Sequence, residues 1–225
     1  MNLDAKNLVK EYTQGDESIR ALDDVNFSIS SGEFISITGR SGSGKSTFLN
    51  ILAGLTMPTS GGVYLDGQDI FARSDAALSL YRNATVGCLP QQSSALTNLT
   101  VLDNVRLPFH LAKREGDSEQ EARRLLKMVG LGKLASRMPK RLSGGQLKRV
   151  AIARALINKP DFLLVDEPTG DLDAETTEEI MQLFRKVADE GTAILMVTHE
   201  LETTEYADQR FQMSRGVLSR ISDNG

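Results

Sequence analysis

An apolar run that passes without a break into a glycine-rich loop, and from there into a helix, constrains this chain more than any other feature. Residues 33–38, EFISIT, have the short apolar character of a buried strand, and STFLNILAGL (46–55) has helical spacing. The loop joining them, GRSGSGKST (39–47), places Gly39, Gly44, Lys45 and Ser46 at the spacing Gly-x-x-x-x-Gly-Lys-Ser/Thr. In such a loop the backbone N–H groups from Gly39 through Arg40, Ser41, Gly42, Ser43 and Gly44 to Thr47 can curl around phosphate oxygens, with the positive end of the following helix behind them. Lys45 would neutralise the β and γ phosphates, and Ser46 would offer a hydroxyl to Mg²⁺.

The rest of the chain alternates strands and helices in a way that fits this start. DFLLVDE (161–167) and TAILMVTH (192–199) are unbroken apolar runs typical of parallel strands buried on both faces, and AETTEEIMQLFRKVADEG (174–191) between them is a helix that Gly191 ends. VGCLP (86–90) reads as another strand and 74–83 as a helix. Leu3–Val9 and Leu22–Ile29 alternate as an antiparallel pair around a turn at Gly15 and Asp16, with Leu22, Val25, Phe27 and Ile29 facing a core. GGVYLDGQDI (61–70) adds a strand and an Asp66–Gly67 turn. From Val101 to Arg141 the pattern is helical, with Ser118 and Glu121 as a capping box and Gly130 as a stop. The expectation is an α/β fold: a mostly parallel sheet with helices on both faces, an N-terminal antiparallel β part, and a helical subdomain inserted at about 92–158 in a single domain spanning 1–225.

The strand 161–167 ends on Asp166 and Glu167. Delivered beside the phosphate loop, the Asp166 carboxylate can hold Mg²⁺ and Glu167 can orient and deprotonate an attacking water. RLSGGQLKRV (141–150) raises a further question. Ser143, Gly144 and Gly145 supply a hydroxyl and closely approachable N–H groups at a helix start, a second anion site without a lysine of its own. Two such sites in one chain mean either two nucleotides per monomer or one nucleotide shared head to tail between two chains, and residue chemistry alone leaves both open.

Composition narrows the setting. The net charge is −4, but residues 111–149 hold eleven Lys/Arg against four Asp/Glu, a local +7 that leaves −11 on the remainder. One cysteine, Cys88, cannot form an intrachain disulfide and reads as a small buried residue, which fits a reducing compartment. The first residues, MNLDAKNLVKEY, alternate polar and apolar and do not form an export signal, and no apolar run approaches the roughly 20 residues of a membrane helix.

GRSGSGKST, LSGGQ and FLLVDEP, in this order, resemble the ATP-binding cassette ATPases over essentially the whole chain. The resemblance implies an ATPase in which LSGGQ, residues Leu142 to Gln146, closes over the ATP held by a second copy of the chain, two ATPs lying between two cassettes. It places Tyr12 where an aromatic stacks on adenine, and Gln91, with Gln92 competing, where a glutamine reaches Mg²⁺ and the water. It places His199 against the γ-phosphate and Asp173 as the final acid of a loop, TGDLD, that crosses the dimer interface. ATP-binding residues would then be Tyr12, residues 39–47 and Ser143, Gly144, Gly145 and Gln146; Glu167, His199 and Gln91 would be catalytic; Ser46, Gln91 and Asp166 would hold Mg²⁺.

TVLDNVRLPF (100–109) and EPTGDLD further resemble the lipoprotein-releasing, macrolide-exporting and cell-division cassettes. These pair with membrane subunits bearing large extracytoplasmic domains and are thought to transmit force rather than pass cargo through a channel. The partners implied are a second copy and an integral membrane permease, with the chain peripheral on the cytoplasmic face of the membrane and no nucleic acid bound. An alternative in the same family is a soluble cassette in cell division or iron–sulfur assembly without cargo. The chromosome ATPases are disfavoured, because Lys45 and Asp166 lie only 121 residues apart with no sustained heptads. The stretch QQSSALTNLT (91–100), with Leu96 and Leu99, is expected to be a mobile groove for the membrane subunit. His110 is expected to be structural.

Overall fold

The computed structural model describes residues 1–221 apart from Asp16, Ser93, Ser94 and Asp171. The chain opens with a long antiparallel hairpin, β1 (Asn2–Gln14) and β2 (Glu17–Ser30), then β3 (Phe34–Thr38) runs into α1 (Lys45–Leu52). β4 (Ser60–Leu65) and β5 (Gln68–Asp69) meet at the Asp66–Gly67 turn and return to β1, giving a four-stranded antiparallel sheet in the order β2-β1-β4-β5. Leu22, Val25, Phe27 and Ile29 all face the core as the alternation predicts, although Leu22 and Val25 are three apart. The odd spacing is absorbed by a bulge: Asp24 takes a φ of 49°, Asn7 opposite takes 50°, and the Asn7 amide donates to the Asp24 carboxylate at 2.9 Å.

After α2 (Asp75–Leu80) and a wider helical turn at Tyr81–Thr85, β6 (Val86–Leu89) leads into a helical segment of α3 (Val101–Leu111), α4 (Ser118–Met128) and α5 (Gly144–Leu156). β7 (Phe162–Asp166), α6 (Ala174–Asp189), β8 (Ala193–Thr198) and the hairpin β9 (Gln209–Ser214) and β10 (Val217–Arg220) complete the chain. The second sheet has the order β10-β9-β3-β8-β7-β6 and is parallel except for β10.

The central strands sort their residues between two cores. Ile35, Ile37, Phe162, Leu164, Leu195 and Val197 face the side covered by α1 and the antiparallel sheet. Phe34, Leu163, Val165, Ile194 and Met196 face the side covered by α5, α6 and the helical segment. Burial on both faces is why these strands read as unbroken apolar runs. The register sets Thr38 beside Thr198, Asp166 beside Val197 and Leu89 beside Val165, so the carboxyl ends of β3, β8, β7 and β6 lie side by side at one edge. In open α/β sheets that edge is where ligands bind.

Two expectations are corrected. The cap of α4 is Asp117, whose carboxylate accepts from Glu119 and Gln120 N–H at 3.0 and 2.9 Å; Ser118 is the first helical residue, and its buried hydroxyl instead meets Arg106 and His110. His110 thereby joins α3 to α4, the structural role expected of it. Cys88 is not a buried packing residue: its side chain opens into a groove between Arg82, Pro108 and Arg154, whose walls withdraw enough water to push the thiol up to about 11. Within 91–100, the fully buried Asn104 amide donates to the carbonyls of Leu96, Leu99 and Thr100 and accepts from Leu96 N–H.

Candidate functional site

The loop after β3 is fixed by backbone geometry that only particular residues allow. Gly44 caps α1 with a φ of 108°, and a side chain there would collide with the Ala21 carbonyl of β2. No side chain caps α1, so the first-turn N–H groups of this helix remain available at the pocket mouth. Inside the loop the Lys45 ammonium donates to the Gly39 carbonyl at 2.6 Å and to the Arg40 carbonyl at 3.3 Å. A cavity of about 580 Å³ opens over residues 40–47, with Ala21 on one side and Gln91, Asp166, Glu167 and His199 on the other.

Each of those four side chains arrives from the carboxyl end of a neighbouring strand. Gln91, two residues beyond the end of β6, lines the cavity and Gln92 does not. Asp166 ends β7 and is hydrogen-bonded by the Ser46 hydroxyl. Burial pushes its carboxyl above the usual range and the Glu167 charge adds to this, while the Ser46 hydrogen bond and the Lys45 and Lys148 charges pull the other way.

Glu167 follows with a φ of 46°, left-handed backbone that a non-glycine residue rarely adopts, held by its N–H to the Val197 carbonyl at 2.9 Å. The turn tips its nearly buried carboxylate into the cavity, with Oε1 3.8 Å from Lys45 Nζ and Oε2 2.9 Å from Nδ1 of His199. The His199 ring is 63% exposed and so remains reachable from solvent.

The donors fit a magnesium ion carried by phosphates. Ser46, Asp166 and Gln91 offer a hydroxyl, a carboxylate and an amide oxygen in one cavity, the hard oxygen set that Mg²⁺ prefers. Among the described residues no group of three or more His, Cys, Asp and Glu could hold a metal by itself. A cation here would therefore depend on the phosphates for much of its coordination.

The remaining predicted residues lie outside this cavity. Tyr12, on β1, is 44% exposed with the Lys10 ammonium 5.0 Å from its ring centre, so it is not a core tyrosine. Ser143 caps α5, its hydroxyl accepting from Gln146 N–H at 3.3 Å while its own N–H donates to the Gln146 side-chain oxygen at 3.2 Å. Ser143 and Gly144 are exposed, and a side chain at Gly144 would meet nothing, whereas one at Gly145 would press on Thr176 at 2.9 Å. Asp173 caps α6 through Thr176, whose backbone N–H and hydroxyl hold its carboxyl below the usual range. Asp171 of the same loop lies outside the described residues.

Two residues that sequence reasoning passed over bear on the site. Lys148, eight per cent exposed, donates to the carbonyls of both Gln91 and Glu167 at 3.2 Å. Thr169 donates to the Glu200 carboxylate at 2.5 Å and ties the loop after Glu167 to the residue after His199. A lysine inside the otherwise buried face of α5 was the available signal for the first.

Comparison with known proteins gives the family. The ABC transporter family model matches residues 22–170. An uncharacterised ABC transporter ATP-binding protein of Methanocaldococcus jannaschii is 42% identical over 97% of this chain and 98% of its own length. The macrolide export ATP-binding/permease protein MacB of Chlorobaculum tepidum is 42% identical over 94% of this chain, which corresponds to 33% of that longer protein. Among solved structures, the bacterial ABC transporter cassette MJ0796 superposes with a TM-score of 0.91 at 40% identity, over 99% of each chain, both as a dimer and in a dimeric post-hydrolysis state bound to ADP and Pi. The chain thus belongs to the ABC transporter family, as one of its ATP-binding and ATP-hydrolysing cassettes.

Proposed function

We propose that two copies of this chain close head to tail around two Mg-ATP, the loop 39–47 of each copy facing the Ser143–Gln146 helix end of the other. The observation that carries this is the exposure of that helix end outside the cavity of its own chain. Ser143 and Gly144 face solvent and take no part in lining the pocket over Lys45, so the site gains its second anion cup only from another molecule. The dimeric state of MJ0796 supports the same reading. In it, residues 39–47 hold the triphosphate and Tyr12 stacks on the base. Ser46, Asp166 and Gln91 would hold Mg²⁺. Glu167 takes the proton of the attacking water, and His199 orients Glu167 and approaches the γ-phosphate.

The cassette is read as one domain, with residues 92–158 as its helical subdomain. It drives a separate integral membrane subunit from the cytoplasmic face, in the force-transmitting manner of the macrolide-export type. Similarity to the cassette part of MacB supports this subtype, and among the described residues no helix is long and apolar enough to cross a membrane. The test of the shared site is size. Glu167→Gln retains shape but loses the base, so with ATP and no Mg²⁺ it should elute as a dimer and without ATP as a monomer. A variant that binds ATP and stays monomeric at millimolar nucleotide refutes the head-to-tail arrangement.

A further inference from the structure

Lys148 is a charged side chain buried on the helix that presents the second anion site, and its ammonium is spent on two carbonyls at the first. Only 8% of the residue is exposed, and a buried ammonium is costly unless acceptors surround it. It donates to the backbone oxygens of Gln91 and Glu167, each at 3.2 Å. Gln91 follows the end of β6 and Glu167 the end of β7, so one side chain on α5 spans the two strand ends that deliver the metal-side and water-side groups. Its charge also counts among those that favour the ionised form of Asp166. Lys148 does not line the cavity itself.

α5 packs on α3 and α4 of the helical segment as well as on β6. Lys148 sits five residues beyond Ser143, about 7.5 Å along a helix axis. A rotation of α5 about this anchor therefore moves the Ser143–Gln146 end by a comparable lever arm. Bonds to carbonyls just beyond the ends of β6 and β7 tie that rotation to the core sheet, where packing against α3 and α4 alone would let α5 travel with the helical segment.

We infer that Lys148 is a positioning residue: it sets where the anion-binding end of α5 stands relative to the pocket, so that hydrolysis in the closed pair depends on it while ATP capture by a single chain does not. This rests on the head-to-tail reading above. Misplacing a catalytic partner by about 1 Å can cost on the order of 10²-fold in rate. Lys148→Met keeps the length and apolar stem of the side chain and removes all its donors.

The full chain carries the test, with Lys148→Met, Lys148→Gln and Lys148→Arg compared for melting temperature, ATP affinity without Mg²⁺, and kcat and KM for hydrolysis. The expected result is ATP affinity within about twofold of the parent, kcat lowered roughly 10- to 100-fold with little change in KM, and most of the rate restored by Lys148→Arg. In the Glu167→Gln background, Lys148→Met should raise the ATP concentration for half-dimerisation by about tenfold. Should the Met variant melt below the assay temperature, Lys148→Gln, which keeps an amide donor, carries the comparison at an intermediate loss.

Hydrolysis within twofold of the parent overturns the inference, and so does a loss of ATP affinity equal to the loss of rate. The two readings separate cleanly. A Glu167→Gln parent that never pairs refutes the shared site and this inference with it. A parent that pairs, and a double variant that pairs equally well, refutes the Lys148 role alone.

Discussion

Nδ1 of His199 lies 2.9 Å from Oε2 of Glu167, and the backbone N–H of His199 donates to the same oxygen at 3.2 Å. The other carboxylate oxygen stands 3.8 Å from the Lys45 ammonium. The carboxylate is thus aimed from both sides by groups of its own chain. Glu167→Gln preserves the volume and gives up the proton acceptor, so phosphate release at saturating ATP should fall by at least about 10²-fold, the scale of general-base loss. A variant within about threefold of the parent rate would remove Glu167 from that role.

Affinity should divide between the loop and the strand. Lys45 is buried and already coordinates loop carbonyls, so Lys45→Ala removes the fixed counter-charge of the phosphates and should weaken ATP binding by at least roughly 10²-fold, as expected for charge-assisted bonds of about 1.5–3 kcal/mol each. Tyr12→Ala touches only an exposed ring and should cost about 1–3 kcal/mol of ATP affinity with the melting temperature unchanged. Titration calorimetry of both variants checks the order. Unchanged affinity in the tyrosine variant would leave the base without its stacking partner.

Asp166 should destabilise the fold it serves. Because burial raises its carboxyl pKa, the folded chain binds this proton more tightly than the unfolded chain does. The contribution of the group to stability is therefore present at low pH and is lost as pH rises from the unfolded value through the higher folded one. At neutral pH the charge is a standing cost. Asp166→Asn should raise the nucleotide-free melting temperature by roughly 2–4 °C, the scale of a small stability gain in a chain of this size. It should also abolish the stimulation of hydrolysis by Mg²⁺. Calorimetric scans at pH 5 and pH 8 should show the gain concentrated at the higher pH.

The two glycines of the second cup should behave differently. A methyl group at Gly144 meets open space, so Gly144→Ala should leave the monomer at least as stable, with up to about 1 kcal/mol of helix propensity in its favour, yet weaken ATP-driven pairing. At Gly145 the same methyl would stand 2.9 Å from Thr176, whose hydroxyl is engaged by Asp173, so Gly145→Ala should cost about 1–3 kcal/mol by overpacking. Urea unfolding with sizing in ATP distinguishes them, and equal stabilities would contradict the close approach of α5 to α6.

Docking to the proposed membrane subunit should be separable from chemistry. Leu96 is exposed on a loop that Asn104 holds in place, and it does not line the nucleotide cavity. Leu96→Glu should keep soluble ATPase activity within about twofold, since exposed substitutions rarely shift stability by more than about 0.5 kcal/mol. It should abolish co-purification with the membrane subunit from detergent extracts. Loss of activity with docking retained would make the loop a structural element.

The central sheet was legible because burial on both faces writes itself into sequence as unbroken apolar runs, as in FLLV and AILMV. The hairpin β9–β10 was not read, since its strands are only partly buried and RFQMS carries no such run; the Arg215–Gly216 turn, with φ of 49° and 81°, was its one local mark. The α4 cap slipped by one residue because Asp117 and Ser118 are both good caps, and the choice was made by Arg106 and His110 drawing off the serine hydroxyl. Within the site, the loop 39–47 and the 166–167 pair follow from spacing. Lys148 and Asn104 do not, because their meaning lies in carbonyls that only folding brings near, in the case of Lys148 and Gln91 across 57 residues.

The left-handed backbone at Glu167 sets the stability of the turn against the proposed chemistry. Glycine and asparagine tolerate a φ of 46° better than glutamate does, so either would relieve strain at this position. Either substitution would firm the turn while giving up the proton acceptor of the proposed mechanism, so strain and chemistry meet in this one residue.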